Sequence, residues 1–380
     1  MAQKNILIIC GEASGEIHAA GLAGALKKID PEISISGVGG ELLRSSGAQV
    51  FYDIKELGVM GLVDVLKKLP KFFALKELIL KKVNSEKPSA IIFVDFSGFN
   101  LRLAKDINNK IPTIYYVSPQ VWASRIGRIK TIKKYIGKLI VLFSFEEEFY
   151  RKHLIHADCV GHPLLDIVSP TMTKEEFLGT MGLLKDKTTI ALLPGSRIQE
   201  IEKILPVMLG AARIISGERP AQFVVAKSPL VQIDIYNKLM NRTKGLNIKI
   251  AEAKTYDCLN IADFALVTSG TATLETAIMR KPFLVIYKMN ILNYLLYRPQ
   301  VKIPYIAMVN IVAGNKIIPE FVQFKATASR IARATLHFLD NPSELEDMKS
   351  RLSKVNSLLG KPGASSRAAR IIVDFLNNTK

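Results

Sequence analysis

The feature that most constrains this chain is a series of short apolar runs that lack strict alternation and are separated by stretches of helical period. Runs at residues 6–10, 33–37, 90–95, 113–117 and 139–143 are rich in Ile and Val. A strand buried on both faces reads this way. Helical patterns fall between them, for example at 18–28 and 101–108. Strand–helix alternation implies a parallel sheet with right-handed crossovers. The second half repeats the scheme at 189–193, 223–226, 248–251, 265–267 and 283–287. After Gly195-Ser196-Arg197, the residues Ile201, Ile204, Leu205, Met208, Ala212 and Ile215 recur at helical spacing, with Pro206 as a candidate kink. The expected fold class is α/β, with two Rossmann-like, doubly wound parallel-sheet domains at 1–165 and 166–340. A charged helical tail follows at 341–380, broken at Gly360-Lys361-Pro362-Gly363. The sequence leaves open whether this tail packs on its own first domain or on that of a second copy in a homodimer.

A length of 380 residues suits two or three domains. With 48% hydrophobic and 23% charged residues, the chain is not a disordered one. Its 52 Lys and Arg against 34 Asp and Glu leave a formal charge of +18, which predicts an acidic partner: nucleic acid, anionic lipid or a phosphorylated metabolite. Lysines are dispersed over helices and aromatics sit in apolar runs, unlike a strand-tracking groove, so no nucleic acid is expected. Cys10, Cys159 and Cys258 are widely spaced and odd in number, which argues for a reduced, cytoplasmic compartment. The opening apolar segment is too short for a signal peptide and reads as a strand. No run approaches the roughly 18 apolar residues of a membrane span. The histidines, His18, His153, His156, His162 and His337, lack metal-ligand spacing, and no metal is expected.

Ligands of open parallel sheets bind beyond the carboxyl ends of the strands, and the polar, glycine-rich segments sit there. Gly11-Glu12-Ala13-Ser14-Gly15-Glu16 follows the first strand. It is no dinucleotide fingerprint. Two readings are open: Glu12 binds sugar hydroxyls, or Ser14 caps the next helix and Glu16 is a first-turn acid. Asp95, at the end of the run 90–94, is either a general base with a raised pKa or a helix cap. Pro194-Gly195-Ser196-Arg197 joins free N–H groups, a helix dipole and a guanidinium, the features of an anion site. The other reading is an ordinary turn with a solvated Arg. In Thr268-Ser269-Gly270-Thr271-Ala272-Thr273-Leu274-Glu275, backbone donors can reach a diphosphate and Glu275 can hold ribose hydroxyls, or the segment is a capped helix with an internal Glu. Trp122, the single tryptophan, either walls the crevice or fills the core. His162, before Pro163, is a candidate crevice residue. Finally, Val59, Met60, Leu62, Val63, Leu66, Phe72 and Phe73 lie among lysines, which suits an interfacial helix on anionic lipid or a core helix with a lysine-rich outer face.

Taken in order, Gly11–Glu16, Gly58-Val59-Met60-Gly61, Val94-Asp95-Phe96, the segment 116–123, Gly161-His162-Pro163, Leu192-Leu193-Pro194-Gly195-Ser196-Arg197 and Ser269–Glu275 resemble the lipid-A-disaccharide synthase family over nearly the whole chain. Asn310 with Ala313-Gly314, then Pro319-Glu320, fits as well. The resemblance implies a metal-free GT-B glycosyltransferase whose two domains face each other across a cleft. It implies an inverting transfer of 2,3-diacylglucosamine from UDP to the 6'-hydroxyl of 2,3-diacylglucosamine 1-phosphate, with no cofactor, at the cytoplasmic surface of the inner membrane. By the same resemblance Asp95 is the general base, and Gly195, Ser196, Arg197, Ser269, Gly270, Thr271, Glu275 and Asn310 bind the nucleotide. Glu12, Ser14 and Glu16 border the acceptor. The chain departs from the family pattern at Glu16, where many members have Asp, and at Gly98, where many carry a second acid. The alternatives on the same scaffold are a UDP-N-acetylglucosamine 2-epimerase and a MurG-type transferase.

Overall fold

A computed structural model describes residues 4–57, 62–241, 245–301 and 303–378. The chain forms two units. The first comprises Met1–Asp166, Tyr297–Lys302 and Leu359–Lys380, and the second Ile167–Leu296 and Ile303–Leu358. The expected tail is thus not one piece. Residues up to Leu358 belong to the second unit, and the rest to the first.

The first unit contains β1 (Asn5–Ile9), β2 (Ser34–Gly39), β3 (Gln49–Asp53), β4 (Ala90–Val94), β5 (Thr113–Tyr116), β6 (Lys138–Val141) and β7 (Asp158–Cys159). They pair in parallel in the order β3-β2-β1-β4-β5-β6-β7. The second unit contains β8 (Thr188–Leu193), β9 (Ala221–Lys227), β10 (Ile248–Glu252), β11 (Phe264–Thr268), β12 (Phe283–Tyr287) and β13 (Glu320–Val322). Its parallel order is β10-β9-β8-β11-β12-β13. Both orders are doubly wound, reversing direction at β1/β4 and at β8/β11.

The apolar runs are uninterrupted because alternate residues feed different cores. In the second unit Ile190 and Leu192 pack with Phe223, Val225, Phe264, Leu266, Leu284 and Ile286 on one face of the sheet. Their neighbours Ala191 and Leu193 pack with Val224, Ala226, Ala265, Val267, Phe283 and Val285 on the other. Burying one such large side chain contributes about 1.5–3 kcal/mol. The strands missed in the sequence, β3, β7 and β13, are edges. Edge strands are short and only partly buried, so they lack an apolar run.

Two helices also differ from expectation. The first begins at Ala13, not 18, and runs to Ile29, because Gly15 and Glu16 continue a turn that Glu16 N–H opens by donating to the Glu12 carbonyl. The helix Ile198–Glu218 passes through Pro206 unbroken. The last helix, Ala364–Asn378, packs on Ala13–Ile29 within the first unit. Its approach is close: a Cβ on Gly21 would lie 2.9 Å from the Ser365 hydroxyl. Arg367 locks it further by donating to the Val160 carbonyl.

His162 is buried, as is His18 on the first helix, and their rings meet edge-on at 5.7 Å. Burial lowers His18 to about 4. Burial, and then His18 itself, lowers His162 to about 3. Both stay neutral when folded and gain protons only when unfolded. Their contribution is therefore complete above pH 6.5 and is lost as pH falls toward the folded values. We predict that stability drops by about 2 kcal/mol per histidine between pH 7 and pH 5. Denaturation curves across that range check this, and a His162→Gln variant with an undiminished pH slope would refute it.

Candidate active site

In the first unit the Gly11–Glu16 segment leaves β1 and Asp95 leaves β4, the adjacent strands of the switch point. The two segments are pressed together. A Cβ on Gly11 would sit 2.3 Å from the Phe96 ring, so only glycine fits there. A Cβ on Gly15 would lie 3.5 Å from that of Asp95. Asp95 and Phe96 both have φ of +49°, a conformation that costs of order 1–3 kcal/mol per non-glycine residue. The surroundings impose it: the Asp95 carbonyl accepts from the Tyr115 hydroxyl and, at 2.9 Å, from the Asn100 amide. Val117, after β5, has φ +62°, an outlier for a β-branched residue. Strain thus gathers at the ends of β4 and β5, as it does at functional sites. Asp95 is half-buried and is not the cap of the helix Ser97–Ile107, whose N-cap is Phe96.

The flanking acids differ. Glu12 is exposed and is the N-cap residue of the first helix, with no side-chain cap bond. Ser14 lies inside the first turn, which rules out the reading in which it caps that helix. Glu16 is buried and accepts from Leu43 N–H at 3.2 Å, at the start of the helix Glu41–Ser45. Through that bond it holds a neighbouring element in place. Trp122 is half-buried and stacks edge-on against Phe145 at 5.0 Å. Its indole N–H and the Ser118 hydroxyl donate to buried Glu146, at 3.1 and 3.0 Å. Leu142 and Phe143 N–H donate to the same carboxylate. Burial raises the Glu146 carboxyl, and these four donors pull it back. Phe72 packs on Phe96 and Phe99 at 6.0 and 6.2 Å, while Phe73 is 59% exposed with the Lys76 ammonium 5.8 Å from its ring. Val59 and Met60 lie outside the described residues, as do the side chains of Leu62, Val63 and Leu66.

In the second unit the Gly195–Arg197 segment leaves β8 and the Ser269–Thr271 segment leaves β11, again the strands of the switch point. Gly195 has φ +114° and Gly270 +145°, conformations that need glycine. The long helix Ile198–Glu218 begins directly after Arg197. The donors that lead into it already hold an anion: the Glu200 carboxylate accepts from Ser196 N–H and the Arg197 guanidinium, each at 3.3 Å. The Ser269 hydroxyl donates to the Ile306 carbonyl at 3.0 Å. Thr271 is exposed at the N-cap of the helix Ala272–Ile278. Glu275, in that helix, accepts from the Tyr256 hydroxyl at 2.9 Å; burial raises its carboxyl and the phenol opposes this.

Asn310 is fully buried, and its amide is saturated. Its nitrogen donates to the Ile318 carbonyl and to Glu320, and its oxygen accepts from Ile317 and Ile318 N–H. Glu320 in turn accepts from Ile306 and Ala307 N–H. Asn310 therefore shapes the loops around Ile306 through these internal bonds. Glu146, Glu200 and Tyr256 were missed in the sequence, and Glu320 was noted only as part of the Pro319-Glu320 motif. Only Glu200 carried a local signal, its first-turn spacing from Ser196 and Arg197. Among the described residues no three His, Cys, Asp or Glu side chains form a metal-binding group.

Two doubly wound parallel-sheet units with polar loops at both switch points define the GT-B class. Solved structures share this fold. A Staphylococcus aureus MnaA–UDP complex matches with a TM-score of 0.66 at 15% identity, covering 98% of this chain and 97% of that one. The calicheamicin glycosyltransferase CalG4 matches with a TM-score of 0.61 at 14% identity, covering both chains fully. The lipid-A-disaccharide synthetase family profile matches residues 6–373, and the chain belongs to that family. A Syntrophus aciditrophicus lipid-A-disaccharide synthase is 40% identical over the whole of both chains. One from Coxiella burnetii is 33% identical over 99% of this chain and 100% of its own. The chain is thus a glycosyltransferase of lipid A synthesis.

Since its amide is spent inside the protein, replacing Asn310 by Ala strands buried backbone groups. We expect Asn310→Ala to destabilise the second unit by about 2–3 kcal/mol, read by urea denaturation. Unchanged stability with a selective loss of UDP affinity would make Asn310 a ligand contact instead.

Proposed function

We propose that this chain moves 2,3-diacylglucosamine from UDP to the 6'-hydroxyl of 2,3-diacylglucosamine 1-phosphate, with inversion and without a metal. The observation that carries the reading is the Asp95 turn, a half-buried acid held in a strained conformation at a switch point of a family member. Asp95 takes the proton from the acceptor 6'-hydroxyl. That oxygen attacks the anomeric carbon opposite the bond to UDP, the new C–O bond forms as the old one breaks, and UDP leaves with the electron pair. The displacement inverts the carbon in one step. The leaving diphosphate needs its charge met by donors aligned in advance. Ser196 N–H, the helix dipole and Arg197 supply them, with Glu200 exchanged for the incoming anion. In this reading half-buried Glu275 receives the ribose hydroxyls.

The protein works at the cytoplasmic surface of the inner membrane in this reading. A charge of +18 favours an anionic surface, and Phe73 beside Lys76 offers an apolar–basic contact. Among the described residues no helix is long and apolar enough to cross a membrane.

Mass spectrometry of a reaction with UDP-diacylglucosamine and its 1-phosphate acceptor should detect the disaccharide 1-phosphate. Asp95→Asn should lower kcat by roughly 10²–10⁴ while UDP affinity stays within about twofold. Unchanged turnover would remove Asp95 as base. Conversion of UDP-N-acetylglucosamine alone into its manno epimer would favour the epimerase reading.

A further inference from the structure

Beside the Asp95 turn the first unit has a second polar feature, which the reaction above does not use. Ser97, Gln120, Val121, Ser124, Arg125 and Arg128 line a pocket of about 200 Å³. The sequence motif around Trp122 ends just before its two cations. Arg125 caps the 3-10 turn Ile126–Arg128 with φ +57°, and Arg128 closes that turn. Both arginines line the same pocket.

Arg128 is half-buried and donates to the Ser97 hydroxyl at 2.8 Å. Burial, and then the neighbouring Arg125, lowers its pKa, so its positive charge is held at a cost. Among the described residues, neither Arg125 nor Arg128 is within ion-pair distance of a carboxylate. Paired arginines without a counter-charge, with serine and glutamine donors around them, suit a dianion with several oxygens. The pocket also adjoins the reacting end of the unit. Ser97 is two residues from Asp95, and the Tyr115 hydroxyl that bonds the Asp95 carbonyl feels the charge of both Asp95 and Arg128.

We propose that this pocket holds the phosphate monoester of the acceptor sugar, with Arg128 and Arg125 as its charged contacts. The proposal rests on the reaction proposed above. In a hexose 1-phosphate, the carbon carrying phosphate and the carbon carrying the hydroxymethyl group flank the ring oxygen. A phosphate gripped at Arg128 therefore leaves the 6-hydroxyl about one ring's width away, within the same end of the unit that carries Ser97 and Asp95. Arg128 and Arg125 act as specificity residues that orient the nucleophile and reject an unphosphorylated sugar.

The test compares wild type with Arg128→Gln and Arg125→Gln, each first shown to melt normally. With 2,3-diacylglucosamine 1-phosphate, the KM should rise 10- to 100-fold in Arg128→Gln and less in Arg125→Gln, with the UDP-sugar KM within twofold. With dephosphorylated 2,3-diacylglucosamine as acceptor, wild type and variants should be equally poor. An unchanged acceptor KM would overturn the proposal. So would an equal loss with the dephosphorylated sugar, which would make Arg128 a positioning residue for the Asp95 turn, or a loss confined to the UDP-sugar KM. Weakened binding to phosphatidylglycerol vesicles at unchanged acceptor KM would assign the pocket to a lipid headgroup and also overturn it. Calorimetry with glucosamine 1-phosphate separates the proposal from the reaction it rests on. Binding that is lost in Arg128→Gln, in a chain that makes no disaccharide, would sink the reaction but keep the phosphate site.

Discussion

A parallel sheet covered on both faces has little room for polar side chains except at its ends, and the rest of this structure depends on that constraint. Alternate residues of β8, β9, β11 and β12 are shared between two apolar cores. The chain can therefore place chemistry only where it leaves a strand. Double winding adds a second condition, since neighbouring connections leave in opposite directions at β1/β4 and β8/β11 and open a crevice there. Asp95 with the Gly11–Glu16 segment, and Gly195–Arg197 with Ser269–Thr271, occupy these two places.

The two units build their switch-point loops by different physical means. The first uses strain: two successive left-handed residues, held by the Tyr115 hydroxyl and the Asn100 amide, fix the backbone that carries Asp95. The second uses dipoles: glycine conformations and a long helix line up donors that already hold the Glu200 carboxylate. An acid that must move a proton profits from a fixed position. In the proposed reaction a leaving diphosphate profits from donors aligned in advance.

Buried polar residues divide into those that serve the protein and those left for a ligand, and hydrogen-bond accounting separates them. Asn310, Glu16 and Glu146 have their partners within the chain. Arg128 has one neutral partner, Ser97, and a second cation beside it. That imbalance, with the adjacent Asp95 turn, marks the pocket as a place where an anion belongs.

The sequence by itself determined the α/β class, the central strands and the polar loops at their ends, because continuous apolar runs and glycine-bearing strand ends are local signals. It also carried enough ordered motifs to indicate the family. Edge strands β3, β7 and β13 stayed hidden because partial burial leaves no apolar run. The roles of Asn310 and Glu16 could not be read either, since a polar residue near a strand end looks the same whether its partner is a ligand or a distant backbone group. Only the tertiary structure decided that Asn310 bonds Ile317, Ile318 and Glu320, that Phe96 requires Gly11, and that Arg125 and Arg128 line one pocket. Those facts depend on which strand ends become neighbours, and chain crossovers bring together residues that are far apart in sequence.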